Sequence, residues 1–316
     1  MHATTQQPDT AISGGLLVVL GAVGFSVKPV LIKLAYADST PVDAITLMTL
    51  RMLIALPLFL AAAFWRDRAP TQRNGPGDWM ALTLLGVMGY YLASLLDFTG
   101  LQYISAGLER LILFLYPTFV VLFSALLYRR PIGSAQRLAL LLSYLGIVLV
   151  YGNDPLAGSP DVNLGAALVL TSGIVFALYL TGSGHLIPRF GSRRFTAYSM
   201  SIAAVATVLH FAAFHPLQQL WVSADVFGLA LALAVFSTVL PAFLVNAGIR
   251  RIGADHASII TSVGPVMTLA LAYLVLDESL GPVQVAGALL VLLGVMRVGL
   301  GKAAHRPAPN HREESQ

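Results

Sequence analysis

The chain has 316 residues, of which 57% are hydrophobic and 11% charged, and its mean hydropathy is +0.77. Because soluble domains are about a quarter charged, this composition excludes a water-soluble protein. The chain has no cysteine, which excludes disulfides and thiolate metal sites.

Ten apolar runs follow one another along the chain, each about as long as a membrane-spanning helix requires. They are apolar on all sides, whereas barrel strands alternate polar and apolar residues. The short connections leave no room for a soluble domain, and no nucleotide-binding loop or catalytic motif is present. The sequence predicts an all-α polytopic membrane protein with helices over 14–36, 43–64, 78–100, 105–127, 135–151, 164–187, 195–215, 225–247, 255–276 and 282–301.

The two ends of the chain are polar. Residues 1–13 carry no Lys or Arg, so the basic region of a signal peptide is missing and the first run is predicted to be a retained helix. Residues 302–316 are polar and contain proline, which predicts a disordered tail.

Basic residues occur in every second connection between the spans. Opposite connections carry acidic residues instead, including Asp38, Asp161 and Glu278. Cytoplasmic loops are enriched in Lys and Arg, so both termini are predicted to be cytoplasmic and the location to be the inner or plasma membrane. The net charge of +4 then requires no nucleic-acid partner. The basic residues of these connections and the C-terminal tail are Arg66, Arg68, Arg73, Arg129, Arg130, Arg137, Arg189, Arg193, Arg194, Arg250, Arg251, Lys302, Arg306 and Arg312.

An internal repeat relates residues 96–152 to 244–300 without a gap. About 14 of the 57 aligned pairs are identical, including the mid-span prolines Pro117 and Pro265. Within this match the basic "YRRPIG" lies opposite the acidic "LDESLG", as expected if five spans invert the second copy across the membrane. The sequence predicts repeats over 14–151 and 164–301 in a five-plus-five inverted arrangement, which is typical of carriers.

Three stretches resemble the EamA-type branch of the drug/metabolite transporter superfamily: "GFSVKPVLIKLAY", "TLRMLIALPLFL" and "LDFTGLQYISAGLERLILFLYPTFV". The resemblance implies ten helices around a central cavity lined chiefly by spans 1, 3, 4, 6, 8 and 9. It also implies export or exchange of small metabolites such as amino acids. Lys33 and Arg51 stand where many members of the family carry a lysine and an arginine.

Six ionic residues lie within the outer half of the predicted spans, where each charge is costly and functional by default. Four are cations and two are carboxylates, so complete pairing leaves two positive charges in excess and predicts a site that attracts anions. The second repeat has no ionic residue at the equivalent positions, and the polar residues that it offers in the inner half are Asn246, Asp255, His256, Ser258 and Ser262. The six residues are Lys28, Lys33, Arg51, Arg110, Asp97 and Glu109.

The predicted roles divide these residues into three groups. The candidate substrate-binding residues are Lys28, Arg51, Tyr90, Tyr91, Tyr116, Asn246 and Ser262. The candidates for gating or coupling are Lys33, Asp97, Glu109 and Arg110, and the candidate helix breaks are Pro29, Pro117 and Pro265.

Structural interpretations stay open for several of them. Lys33 can extend its ammonium group to the headgroups. Glu109 and Arg110 can both be structural, one bound to Asp97 or Lys33 and the other to backbone carbonyls. The tyrosines can be ordinary packing residues, and the prolines can be simple kinks. Asp97 and Glu109 are expected to stay ionised, which favours proton antiport only slightly over exchange or facilitated transport.

The predicted function is that of a secondary transporter for a small polar or anionic metabolite, with amino-acid export or exchange first. Transport of organophosphates or nucleotide sugars is the alternative, and an intramembrane enzyme or a channel is a distant one. The expected partners are the lipid bilayer, a small-molecule substrate and a proton, with no metal, cofactor or nucleic acid.

Overall fold

The computed structural model describes residues 8–39, 42–64, 74–129, 132–152, 158–261, 263–279 and 281–303. Thirteen α-helices in this part of the chain are numbered in order: α1 Pro8–Tyr36, α2 Ala44–Phe64, α3 Pro76–Gly86, α4 Ala93–Gly100, α5 Ala106–Leu113, α6 Tyr116–Tyr128, α7 Ser134–Gly152, α8 Pro160–Phe190, α9 Ser192–Phe214, α10 Ala224–Ala234, α11 Leu240–Thr261, α12 Gly264–Leu276 and α13 Pro282–Ala303. Two π-helical segments, Val87–Leu92 and Val235–Val239, join α3 to α4 and α10 to α11.

Seven helical segments in the described ranges are long and apolar enough to cross a membrane, and three further apolar helices are shorter. The long segments include Ile12–Tyr36, Ala44–Ala63 and Pro160–Phe190, and the short ones include Gly264–Leu276. The described part of the chain therefore contains helices and no strand, and its apolar helices are those of a multi-pass membrane protein. Two of the long segments each extend over two numbered helices. The segment Pro76–Gly100 covers α3 and α4, and the segment Ala106–Leu127 covers α5 and most of α6.

Local backbone features recur at the same spacing of 148 residues that relates the sequences. The two π-helical segments begin at Val87 and Val235. Each of the helices α6 and α12 is followed by a residue in the left-handed region, Arg129 with φ 51° and Asp277 with φ 53°. Positive φ is uncommon outside glycine, so its recurrence at equivalent positions shows that the two sequence copies adopt the same local conformation.

The helices differ from the predicted spans in two details, although the span predicted over 105–127 agrees with the long apolar segment Ala106–Leu127. The span predicted over 105–127 is divided at residues 114–115 into α5 and α6, because Pro117 lacks the amide hydrogen that a continuous helix would need. Conversely, α11 continues through residues 248–254, where a connection was predicted. No proline lies between Pro241 and Pro265, so nothing in the backbone chemistry enforces a break there.

Close helix contacts occur where glycines face each other or a neighbouring backbone. A Cβ on Gly146 of α7 would lie 2.5 Å from the carbonyl oxygen of Gly287 in α13, and one on Gly287 would lie 2.6 Å from that of Gly146. In a separate contact, a Cβ on Gly24 of α1 would lie 2.4 Å from Pro241 of α11. Small residues allow backbones to approach in this way inside membranes, and the second contact fixes α1, which carries Lys28 and Lys33.

Candidate functional site

Lys28 of α1 and Asp97 of α4 form an ion pair inside the helical assembly. The Lys28 Nζ lies 2.5 Å from the Asp97 Oδ2, and the Asp97 side chain is 2% exposed. A buried carboxylate is tolerated only with such compensation. Both residues were predicted in the outer half of the spans, and the long lysine side chain allows the two groups to meet.

Pro29 creates a backbone acceptor that Arg110 satisfies. A proline at position 29 cannot donate to the carbonyl of Phe25, four residues earlier in α1. The Arg110 Nη2 donates to that carbonyl oxygen instead. The structural interpretation of Arg110 as a partner of backbone carbonyls therefore agrees with its contacts, and Pro29 and Arg110 form one arrangement.

A second set of hydrogen bonds connects the same part of α1 to the beginning of α12. The Arg110 Nε donates to the Thr268 Oγ1 at 3.0 Å, and that hydroxyl donates to the Ser26 carbonyl oxygen at 2.9 Å. The Ser26 hydroxyl also lies 3.1 Å from the carbonyl oxygen of Gly264. Through these contacts the first repeat is bonded directly to the second.

Lys33 contacts the turn that follows α4. Its Nζ donates to the carbonyl oxygens of Leu101 and Ile104, both at 3.1 Å. These carbonyls belong to the connection between α4 and α5, where no helical donor is available. The ammonium group thus holds α1 against this turn instead of extending freely to the headgroups, and a gating role for Lys33 stays a prediction.

Glu278 caps the first turn of α5, a contact that the sequence did not predict. Its Oε1 accepts from the Ala106 amide at 2.7 Å, and its Oε2 accepts from the Gly107 amide at 3.0 Å. A carboxylate is favourable at a helix N-terminus because free amides and the helix dipole face it. This carboxylate comes from the connection after α12, so it bonds the second repeat to the first.

Glu109 is fully buried, and neither of its carboxyl oxygens has a hydrogen-bond partner among the described residues. The same holds for the Oδ1 of Asp97, while its Oδ2 binds Lys28. The charged groups that act on Glu109 are Asp97, Lys28 and Arg110. The site therefore contains two neighbouring carboxyl groups with three unsatisfied oxygens.

Arg51 is the cation whose hydrogen bonding is least satisfied. It is 4% exposed, its guanidinium carbon lies 4.6 Å from the centre of the Phe98 ring, and its Nε and Nη2 have no partner within the described ranges. A cation over an aromatic face gains some stabilisation, but unmade hydrogen bonds of a buried charge cost free energy. Arg51 is therefore a buried cation with two unsatisfied donors in the described part of the chain.

The predicted tyrosines separate into two places. Tyr179 of α8 donates to the Tyr90 hydroxyl at 3.2 Å, and Phe176 packs edge-on against Tyr116 with ring centres 5.3 Å apart. Tyr91 instead lies 2.9 Å from the His210 Nδ1 in α9. Tyr90 and Tyr91 both belong to the π-helical segment Val87–Leu92, a geometry that is frequent at functional sites.

The remaining predicted residues have simpler outcomes. Pro117 and Pro265 lie at the second positions of α6 and α12, where the missing amide is tolerated. Ser262 and the side chain of Asn246 lie outside the part of the chain that is described. No group of three or more His, Cys, Asp or Glu side chains suited to a metal ion occurs in the described ranges.

Sequence reasoning missed the contributions of Glu278, Thr268 and Tyr179. Glu278 was assigned to a connection only, although an acidic residue outside the membrane can cap an exposed helix start. The signal for Thr268 and Tyr179 was weak, because hydroxyl side chains are common in membrane helices and bond mostly within their own helix.

Comparison with known proteins decides the class of this chain. The EamA-like transporter family matches residues 12–152 and again 163–300. The chain belongs to this family. An uncharacterized transporter of Bacillus subtilis, YcbK, is 35% identical over 88% of this chain and 89% of its own length.

A second relative, the uncharacterized transporter sll1319 of Synechocystis, is 26% identical over 95% of this chain and 97% of its own length. A solved structure described as a crystal structure of protein has a TM-score of 0.65 at 17% identity and covers 93% of this chain and 99% of its own. The structural likeness supports the fold, and the family match identifies a multi-pass membrane transporter.

Proposed function

We propose that this protein is a secondary carrier that exports or exchanges a small anionic or zwitterionic metabolite across the inner or plasma membrane. In this proposal ten spans in two inverted repeats surround a central site, both termini are cytoplasmic, and the two halves rock to alternate access. Inverted repeats are the usual basis of such movement, and the recurrence of backbone features at a spacing of 148 residues supports them.

The observation that carries the proposal is that Arg51 has buried hydrogen-bond donors without a partner in the described part of the chain. Lys28 is paired with Asp97, while Lys33 and Arg110 donate to backbone carbonyls. Arg51 alone of these four cations has buried donors without a partner among the described residues. A substrate carboxylate would complete the hydrogen bonding of a planar guanidinium in a bidentate manner.

Amino acids are the first substrate class because the site presents both signs of charge. Arg51 offers donors for a carboxylate, and Asp97 and Glu109 offer unsatisfied oxygens for an ammonium group. Organophosphates or nucleotide sugars are the alternative, favoured by the excess of cations over carboxylates. A phosphate dianion, however, would gain nothing from the two carboxyl groups and would be repelled by an ionised one. An intramembrane enzyme or a channel remains a distant alternative, with no observation in its favour.

A thermal-unfolding screen of the purified carrier with amino acids and sugar phosphates tests the substrate class. A ligand at 100 times its Kd stabilises the folded state by about 2.7 kcal/mol. We expect amino acids to raise the Tm of the wild type and not of Arg51→Ala, with the exposed Arg137→Ala as the matched control. Stabilisation by sugar phosphates alone would replace the amino-acid assignment with the alternative.

A further inference from the structure

The unsatisfied oxygens of Asp97 and Glu109 define a site whose missing hydrogen bonds the neighbouring charged residues do not explain. Glu109 is 0% exposed, and both of its oxygens and the Asp97 Oδ1 have no hydrogen-bond partner in the described part of the chain. Two ionised carboxylates side by side would repel each other, and an ionised carboxylate buried without donors is strongly disfavoured. The arrangement lacks a donor between the two groups.

The neighbouring cations cannot supply that donor. Lys28 donates to the other oxygen of Asp97, and Arg110 directs its Nε and Nη2 to Thr268 and to the carbonyl of Phe25. Both cations act on Glu109 only through space. The one cation in direct contact with the pair, Lys28, balances Asp97, so the charge of Glu109 is left to be neutralised.

The other elements that pack against α5 bring no further charge to the pair. The sequence of α12 contains no Asp, Glu, Lys, Arg or His. Besides the buried Tyr179, α8 carries Asp161, His185 and Arg189 near its ends, and α7 carries Arg137, Tyr144 and Tyr151. From α1, Lys33 faces the turn after α4, and Glu278 is bound to the start of α5. The charge balance at Glu109 is therefore set by Asp97, Lys28 and Arg110.

We propose that Asp97 and Glu109 bind one proton between them and form the proton-binding site of this carrier. The proton gives the pair a hydrogen bond from one carboxyl group to the other and removes one negative charge from the interior. This differs from the expectation from the sequence that both groups stay ionised. The two groups titrate as one unit, because each changes the charge that the other experiences.

The number of cations at the pair determines how many protons it holds. Removing Lys28 leaves no direct cation and favours a second proton, whereas an additional cation favours loss of the first. If the proposed function is correct, the ammonium group of an amino acid supplies that additional cation and exchanges with the proton. Substrate export would then be coupled to proton entry.

Infrared difference spectroscopy of the purified, reconstituted protein tests the proton site without any substrate. A protonated carboxyl group has a carbonyl stretch that is separate from the bands of an ionised carboxylate. We expect this band in the wild type at neutral pH, its loss in Glu109→Gln and in Asp97→Asn, and its increase by one further carboxyl group in Lys28→Met. The exposed Asp225→Asn at the start of α10 is the control and should leave the band unchanged.

Absence of the band from the wild type, or its persistence in Glu109→Gln, would overturn the proposal. No increase in Lys28→Met would overturn the link between the proton and the cation. If a variant does not fold, carbodiimide labelling of the wild type replaces it, because the reagent modifies protonated carboxyl groups in apolar surroundings. Labelling mapped to Asp97 or Glu109 supports the site, and labelling elsewhere only contradicts it. A positive result combined with no amino-acid binding would reject the proposed substrate and leave the proton site intact.

Discussion

At the scale of single residues, the site is organised by compensation between groups that are unfavourable on their own. Pro29 leaves the Phe25 carbonyl without its helical donor, and Arg110 would be a buried cation without acceptors. The contact between them satisfies both. Buried polar groups in proteins are paired in this way with few exceptions, and Arg51 and Glu109 are the charged exceptions on which the proposals rest.

The pairing of Pro29 with Arg110 predicts a specific coupling between two substitutions. Arg110→Met should lower the free energy of unfolding by about 1–3 kcal/mol, since it leaves a buried carbonyl and the Thr268 hydroxyl without a donor. Pro29→Ala restores an amide that can bond to Phe25, so Arg110→Met should cost less in that background. Thermal unfolding in detergent of the two single variants and the double variant measures the difference. Equal costs in both backgrounds would show that the contact does not compensate for the proline.

The sequence predicted the identities of the charged residues but not their partners. Lys28, Arg51, Asp97 and Glu109 were recognisable because charges inside apolar spans are costly and therefore conspicuous. Their partners depend on helix rotation and on side-chain length, neither of which hydropathy specifies. Glu278 shows the limit most clearly, because its role depends on how the connection after α12 meets a helix start that is about 170 residues earlier.

At the scale of helices, contacts between the repeats hold the assembly together in two ways. Glycines permit α7 and α13 to approach until backbone atoms of Gly146 and Gly287 are close. The carboxylate of Glu278 attaches the connection after α12 to the first turn of α5. The glycine contact is a packing constraint that cannot easily change, whereas the Glu278 contact is a set of hydrogen bonds that can open.

The packing contact predicts that Gly146 does not tolerate a methyl group. Gly146→Ala places its Cβ 2.5 Å from the Gly287 carbonyl oxygen, and overpacking of this kind costs about 1–3 kcal/mol. Gly152→Ala in the same helix is the matched control, because a Cβ there has no neighbour within 4 Å. Thermal unfolding should separate the two variants, and equal melting temperatures would mean that α7 and α13 can move apart without cost.

The carboxylate contact predicts that Glu278 keeps the start of α5 closed against the connection after α12. Glu278→Gln should weaken the cap on α5 by about 0.5–2 kcal/mol, the usual range for helix N-caps. Maleimide labelling of Leu108→Cys measures the opening, since the chain contains no other cysteine. Labelling should be faster in Glu278→Gln and unchanged in Asp277→Asn, because Asp277 itself has the left-handed conformation and asparagine tolerates it. Equal rates in the two variants would refute a gating role for Glu278.

At the scale of the whole molecule, the repeat was the best predictor of the fold. A spacing of 148 residues in the sequence recurs in the π-helical segments and in the helix breaks before α6 and α12. The ionic residues do not recur, because Asp97 and Glu109 correspond to Val245 and Ala257. A symmetrical scaffold with an asymmetrical charge distribution fits a carrier whose two access routes treat the substrate differently. The continuous helix through residues 248–254 was not predictable, since hydropathy falls there although the backbone continues.

Uptake or exchange of radiolabelled amino acids by proteoliposomes tests the central claim, that an anionic group binds Arg51 beside the Lys28–Asp97 pair. We expect transport by the wild type and by the control Arg137→Ala, and at least a tenfold loss in Lys28→Ala and in Arg51→Ala. A tenfold loss corresponds to about 1.4 kcal/mol of binding free energy, which is close to the lower end of the roughly 1.5–3 kcal/mol that a hydrogen bond to a charged group contributes. Transport of any anionic metabolite that is unchanged in both Lys28→Ala and Arg51→Ala would contradict the assignment of the site.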